Sequence, residues 1–148
     1  MLQRKVKVLF LCTANACRSQ MAEGWARHLK GDVLEPYSAG TKRHVVSGKA
    51  TQVMAEVGVD LSDHFSKALD DLPDLDFDYI VTVCDNAAGA CPVFPGNATV
   101  IHRGFDDPPK LAADETDEQR ILDHYRRVRD EIRDFVQTLP EALKQPTG

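Results

Sequence analysis

Residues 5–11 form an apolar run, and the eight residues after it lead directly into side chains of helical spacing. That junction constrains the fold more than any other stretch. Val6, Val8, Leu9, Phe10 and Leu11 read as a strand buried on both faces. Met21, Ala22, Trp25, Ala26 and Leu29 recur as one face of a helix, which Gly31 closes. Between them lie Cys12, Thr13, Ala14, Asn15, Ala16, Cys17, Arg18 and Ser19. A loop joining a strand to a helix N-terminus aims several backbone N–H groups at one point, where the helix dipole adds positive potential.

The pattern continues along the chain. Residues 33–39 read as a second strand ending at the Gly40 turn, and Ala50, Val53, Met54 and Val57 as a second helix stopped by Gly58. Two further apolar runs follow at 79–83 and 99–102, the first entered from an acidic stretch at 74–78. Ile121, Leu122, Tyr125, Val128, Ile132, Phe135 and Leu139 lie on one face of a last long helix. Thr116 and Gln119 suit a capping box at its start, and Pro140 ends it. With no repeat and no linker, residues 1–148 read as a single α/β domain. A small parallel sheet with helices on both faces is expected. Chemistry in such sheets sits beyond the C-terminal strand ends, here after Leu11, Val83 and His102.

Charge and composition exclude several functions. A net charge of −5 disfavours nucleic acid and acidic membranes, although a pocket can still be locally positive. No apolar run approaches the roughly 20 residues of a membrane span. Lys7 breaks the early apolar run, so a buried first strand explains it better than a signal peptide, and a cytoplasmic location is expected. The four cysteines then meet a reducing compartment, which favours metal binding or redox chemistry over a disulfide framework.

The loop supplies what an oxyanion needs. Its N–H groups form a nest, and Arg18 can fork two oxygens. Cys12, at the base of that nest, is expected to be a thiolate of depressed pKa, with Ser19 donating to its sulfur. The bland alternative is a buried cysteine acting as a small hydrophobe, and that reading suits Cys17.

On these residues the chain resembles the low-molecular-weight tyrosine phosphatases. The likeness runs through the Cys12 loop, the Ser19-Gln20-Met21-Ala22-Glu23 continuation, Tyr37-Ser38-Ala39-Gly40 and Asp106-Asp107-Pro108. It implies a four-stranded parallel sheet, with Cys12 as nucleophile, Arg18 as oxyanion binder, Asp107 as general acid and Asn15 holding the loop in shape. Some relatives bind a monovalent cation near the loop. Here Lys67 falls where they carry an acid, so its ammonium is expected to take the cation's place against Glu23.

A phosphatase needs only one cysteine, so Cys84 and Cys91 need another account. Cys84 ends the third apolar run, and neighbouring strands lie about 4.8 Å apart, so Cys12 would be near if the first and third strands pair. Seven residues of helix span about 10.5 Å, against the roughly 4.4–6.8 Å between Cα atoms in a disulfide. Cys84 and Cys91 can therefore pair only if the segment between them loops or unwinds. Gly89, Pro92, Pro95 and Gly96 make that easy. The alternatives are an inert core pair or a zinc site, but C-x₂-C knuckles are absent and the histidines show no ligand spacing, reading as surface or capping residues. Arg126, Arg127, Arg129 and Arg133 alternate with acids and read as a solvated helix face.

The three cysteines, with Gly104-Phe105-Asp106-Asp107-Pro108, resemble the thioredoxin-coupled arsenate reductases of the same superfamily. That resemblance implies arsenate as substrate, a Cys12–Cys84–Cys91 disulfide relay and thioredoxin as reductant, with glutaredoxin or another low-molecular-weight thiol as the alternative; no cofactor and a monomer are expected. Tyrosine phosphatases place aromatic residues after the Asp-Pro, whereas this chain has Pro109 and Lys110. The competing functions are a tyrosine phosphatase and a redox- or oxyanion-sensing binding protein.

Overall fold

The computed structural model describes residues 5–12, 15–40, 45–72, 76–83 and 98–144. Four strands, β1 (Val6–Cys12), β2 (Leu34–Gly40), β3 (Tyr79–Thr82) and β4 (Thr99–His102), form one sheet in the order β2-β1-β3-β4. All pairings are parallel, as the alternation of strands and helices requires. The central strand β1 is buried on both sides from Val8 onward, which explains the unbroken apolar sequence there. The edge strand β4 is mostly exposed, and Val100 lies open to solvent.

Side chains alternate across β1. Val8 and Phe10 face a core shared with α1 (Arg18–Lys30), α2 (Gly48–Glu56) and α4 (Glu118–Gln137). Met21, Trp25, Met54, Leu122, Val128 and Ile132 fill that layer. Each large apolar side chain so buried stabilises the fold by about 1.5–3 kcal/mol relative to exposure. Leu9 and Leu11 point the other way, toward Ile80, Leu72 and Phe77. Among the described residues this second face carries a 3-10 turn (Leu69–Asp71) rather than a long helix. Two short helices, α3 (Pro108–Leu111) and α5 (Glu141–Lys144), complete the described chain.

Local signals set the helix ends, with one shift from expectation. Gly58 adopts φ +82°, and its N–H donates to the Ala55 carbonyl while Val59 N–H donates to Met54. That is a Schellman motif, open to glycine because no Cβ opposes the left-handed backbone. At the start of α4 the N-cap is Asp117, whose carboxylate accepts from Gln119 N–H at 2.9 Å, and not Thr116. Glu115 takes the Thr116 and Asp117 N–H groups instead, so the capping box is replaced by two acidic side chains.

Candidate active site

Strand β1 ends at Cys12 and helix α1 begins at Arg18, so the intervening loop opens at the C-terminal edge of the sheet. Cys12 is buried and lies in register with Gly40 of β2. On its other side, Val83 N–H donates to the Leu11 carbonyl at 2.9 Å. Asn15 is fully buried with φ +52°, a conformation that its short polar side chain can sustain. Its Oδ1 accepts from Lys67 N–H at 2.8 Å and from Gln20 Nε2 at 2.9 Å, while Nδ2 donates to Ser19 Oγ at 2.8 Å. Ala16 is held from outside, its carbonyl accepting from Ser47 N–H at 2.8 Å. The Cys17 side chain makes no cap bond to α1, and no acid occupies the first turn. The helix N-terminus therefore keeps its positive potential for an anion.

Arg18 is buried, with Nη1 donating to the Phe105 carbonyl at 3.0 Å and Nη2 3.8 Å from Asp107 Oδ2. Phe105 is itself fixed in the core by edge-on contact with Phe135, ring centroids 6.0 Å apart. The two adjacent aspartates diverge. Asp106 pairs with Arg127 of α4 at 3.0 Å, whereas Asp107 faces Arg18. Asp107 precedes Pro108 at the start of α3, yet makes no cap bond, so its carboxyl is not spent on the helix. Burial, reinforced by Asp107, pushes the Cys17 thiol far up and keeps it protonated. Cys17 thus sits in the core as a small apolar group, as its sequence reading expects.

A second polar network braces the loop. Fully buried Gln20 donates to Asn15 and to the Phe65 carbonyl, which orients its Oε1 toward His64 Nδ1 at 2.8 Å. Burial lowers the His64 pKa, with Glu23 acting in the opposite direction. Lys67 Nζ lies 3.9 Å from Glu23 Oε1, which also accepts from Ser38 Oγ. Arg27 binds the other Glu23 oxygen at 2.9 Å. Burial likewise lowers the Lys67 pKa, and Glu23 opposes it. The Lys67 ammonium does meet Glu23 as expected from sequence.

Cys12, Asn15, Ala16, Cys17, Arg18, Ser19 and Asp107 are brought to one end of the sheet. Thr13, Ala14, Cys84, Cys91 and the segment around Gly89 lie outside the described residues. Two sequence readings are corrected. His64 is neither a surface nor a capping residue but part of the loop's support. Arg129 does not belong to a solvated face; it is buried and donates to the Val53 carbonyl at 2.9 Å and to Glu56 at 3.0 Å. The sequence reading gives Gln20 no role of its own, although a polar residue among the apolar positions of α1 is a signal that it has buried partners. Among the described residues, no three His, Cys, Asp or Glu side chains group as metal ligands.

A parallel sheet, a strand–loop–helix junction that starts at a buried cysteine, a buried arginine and a facing aspartate suit an oxyanion-handling enzyme. The chain belongs to the low molecular weight phosphotyrosine protein phosphatase family, whose model matches residues 7–147. It is 44% identical over 140 residues to an arsenate reductase of Halalkalibacterium halodurans, covering 95% of this chain and 99% of that protein. A solved structure described as an arsenate reductase in the phosphate binding state matches with TM-score 0.77 at 27% identity, covering 94% of this chain and 99% of the other. A thioredoxin-dependent arsenate reductase of Corynebacterium glutamicum matches with TM-score 0.60 at 26% identity, over 93% of this chain and 64% of that one.

Proposed function

We propose that this chain reduces arsenate to arsenite through a thiol relay within one domain spanning residues 1–148. The observation that carries the reading is the Val83–Leu11 hydrogen bond at 2.9 Å, because the residue that follows each of them in the sequence is a cysteine, Cys84 and Cys12. An ordinary phosphatase has no use for that coincidence.

Arsenate enters the nest, where the loop N–H groups, Thr13 to Ser19, and the Arg18 fork hold its oxygens. The Cys12 thiolate attacks arsenic while Asp107 gives a proton to the departing oxygen, which leaves as water. Cys84 then attacks the Cys12 sulfur. The sulfur–arsenic bond breaks, its electron pair stays on arsenic, and arsenite departs from a Cys12–Cys84 disulfide. Cys91 attacks Cys84 and releases the Cys12 thiolate. An external dithiol reduces the Cys84–Cys91 pair, and the thioredoxin dependence of a structural relative favours thioredoxin in that role. The relay needs no bound cofactor. No described helix is long and apolar enough to cross a membrane. The free thiols that the relay requires suit a reducing compartment such as the cytoplasm.

The test is a coupled assay with reduced protein, arsenate, thioredoxin, thioredoxin reductase and NADPH. Arsenate-dependent NADPH loss should vanish in Cys12→Ser, Cys84→Ser and Cys91→Ser. Hydrolysis of an aryl phosphate should need Cys12 but survive Cys84→Ser. Turnover of aryl phosphate with no arsenate-dependent NADPH loss would make the chain a phosphatase instead.

A further inference from the structure

An exposed side chain with no part in the relay reaches over the turn that seats Arg18. Arg103 directly follows β4, and its guanidinium carbon lies over the Phe105 ring, 4.5 Å from the centroid. The same carbon is 5.9 Å from the ring centroid of Phe135 on α4. Arg103 Nη1 also donates to the Gly104 carbonyl at 2.7 Å, so the side chain folds back on the peptide between itself and Phe105. The backbone grip on this turn loosens along it. Arg103 N–H donates to the Thr82 carbonyl at 2.9 Å, whereas Phe105 N–H reaches the Val83 carbonyl only at 3.3 Å, past the usual range of about 2.7–3.2 Å. Yet it is the Phe105 carbonyl to which Arg18 Nη1 donates, at 3.0 Å.

We propose that Arg103 is a positioning residue for Arg18: its stack on Phe105 fixes the direction of the Phe105 carbonyl, and through it the aim of the Arg18 fork. Arg103 acts through Phe105 and not on the oxyanion. A guanidinium suits the task because its planar, weakly hydrated group stacks on an aromatic ring while its N–H fork still reaches a carbonyl. Lysine would bring the same charge without the plane. Asp106, one residue further along, has its own anchor in Arg127 at 3.0 Å, so the Arg103 stack bears on Phe105 rather than on the whole turn. The inference rests on the reductase reading only for the identity of the oxyanion, since any tetrahedral anion in the loop would meet Arg18 in the same way.

The experiment is calorimetric titration of inorganic phosphate into the reduced protein and its variants. Phosphate binding needs no electron transfer, so its outcome is independent of whether arsenate is reduced. Arg103→Ala should bind phosphate about three- to fivefold more weakly, the loss expected for one exposed cation–π contact, with little change in thermal midpoint. Arsenate KM should rise by a similar factor while kcat holds. Arg103→Tyr, which keeps a stacking plane and gives up the charge, should recover most of the lost affinity. Arg103→Lys, which keeps the charge and gives up the plane, should bind phosphate as weakly as Arg103→Ala. Phe105→Leu keeps the carbonyl but removes the ring, so adding Arg103→Ala to it should cost nothing further. Undiminished phosphate affinity in Arg103→Ala would overturn the proposal. So would affinity that follows the charge, kept in Arg103→Lys and lost in Arg103→Tyr.

Discussion

Arg18 and Asp107 face each other at 3.8 Å across the open end of the sheet, one from the start of α1 and the other from the turn after β4. Asp106 is only one residue away but is turned to Arg127. Asp107→Asn should therefore lower kcat for arsenate by about 10²–10⁴-fold, the usual share of general-acid catalysis. Asp106→Asn should cost far less. Steady-state kinetics of the two variants decide the assignment, and equal losses would show that the acid has been misplaced.

Lys67 places its ammonium 3.9 Å from Glu23, which also accepts from Ser38. Potassium, titrated against sodium at constant ionic strength, should leave the activity of the parent protein unchanged. Lys67→Ala leaves Glu23 with Arg27 and Ser38, and its activity should become potassium-dependent. Strong potassium activation of the unaltered protein would contradict the arrangement.

His64 gives the fold a pH dependence of known sign. Its folded pKa lies below the ordinary 6.5, because burial disfavours the imidazolium more than Glu23 favours it. The unfolded chain therefore takes up the proton first. The stability at stake is complete above pH 6.5 and is lost as pH falls from there through the lowered folded value. Urea midpoints measured across that window should fall more steeply for the parent than for His64→Asn, whose amide can still donate to Gln20. Parallel curves would show that His64 contributes nothing.

Arg129 binds α4 to the C-terminal turn of α2 through the Val53 carbonyl and Glu56. Arg129→Ala strips the buried carbonyl of a charged donor and removes the packed stem, so unfolding free energy should drop by about 2–3 kcal/mol. Arg129→Met keeps the stem and should lose less. Chemical denaturation measures both.

Gly24 sits inside α1, where alanine would normally gain about 1 kcal/mol in helix propensity. A Cβ there would stand 2.8 Å from Leu61 Cδ2 and 3.1 Å from Val59 Cγ1, both on buried side chains. Overpacking of about 1–3 kcal/mol should outweigh the helix gain, so Gly24→Ala should be destabilised in urea. Increased stability would mean that Leu61 moves aside at little cost.

What the sequence made legible follows from the range of the forces involved. The Cys12–Ser19 loop could be read because strand, loop and helix are contiguous in the sequence. The four strands could be read because β1 and β3 are buried enough to write apolar runs. His64 escaped because its partner Gln20 lies 44 positions away and nothing periodic links them. Arg129 was within reach: it stands four residues after Tyr125 and three before Ile132, on the apolar stripe itself. Its charge hid its position. The α4 cap shifted by one residue because Asp117 and Thr116 are both good caps and only the path of the preceding chain chooses between them.

The order β2-β1-β3-β4 also bears on how the molecule comes into being during synthesis. The earliest strand to leave the ribosome is the one that ends in the middle, waiting for partners on both flanks. Arg18 emerges soon after it, yet the Phe105 carbonyl and Asp107 that seat its guanidinium arrive only with the last third of the chain. Translation thus delivers Cys12 and Arg18 long before the groups that seat the guanidinium. A nascent chain stalled before residue 105 would carry Cys12 without a finished trap around it.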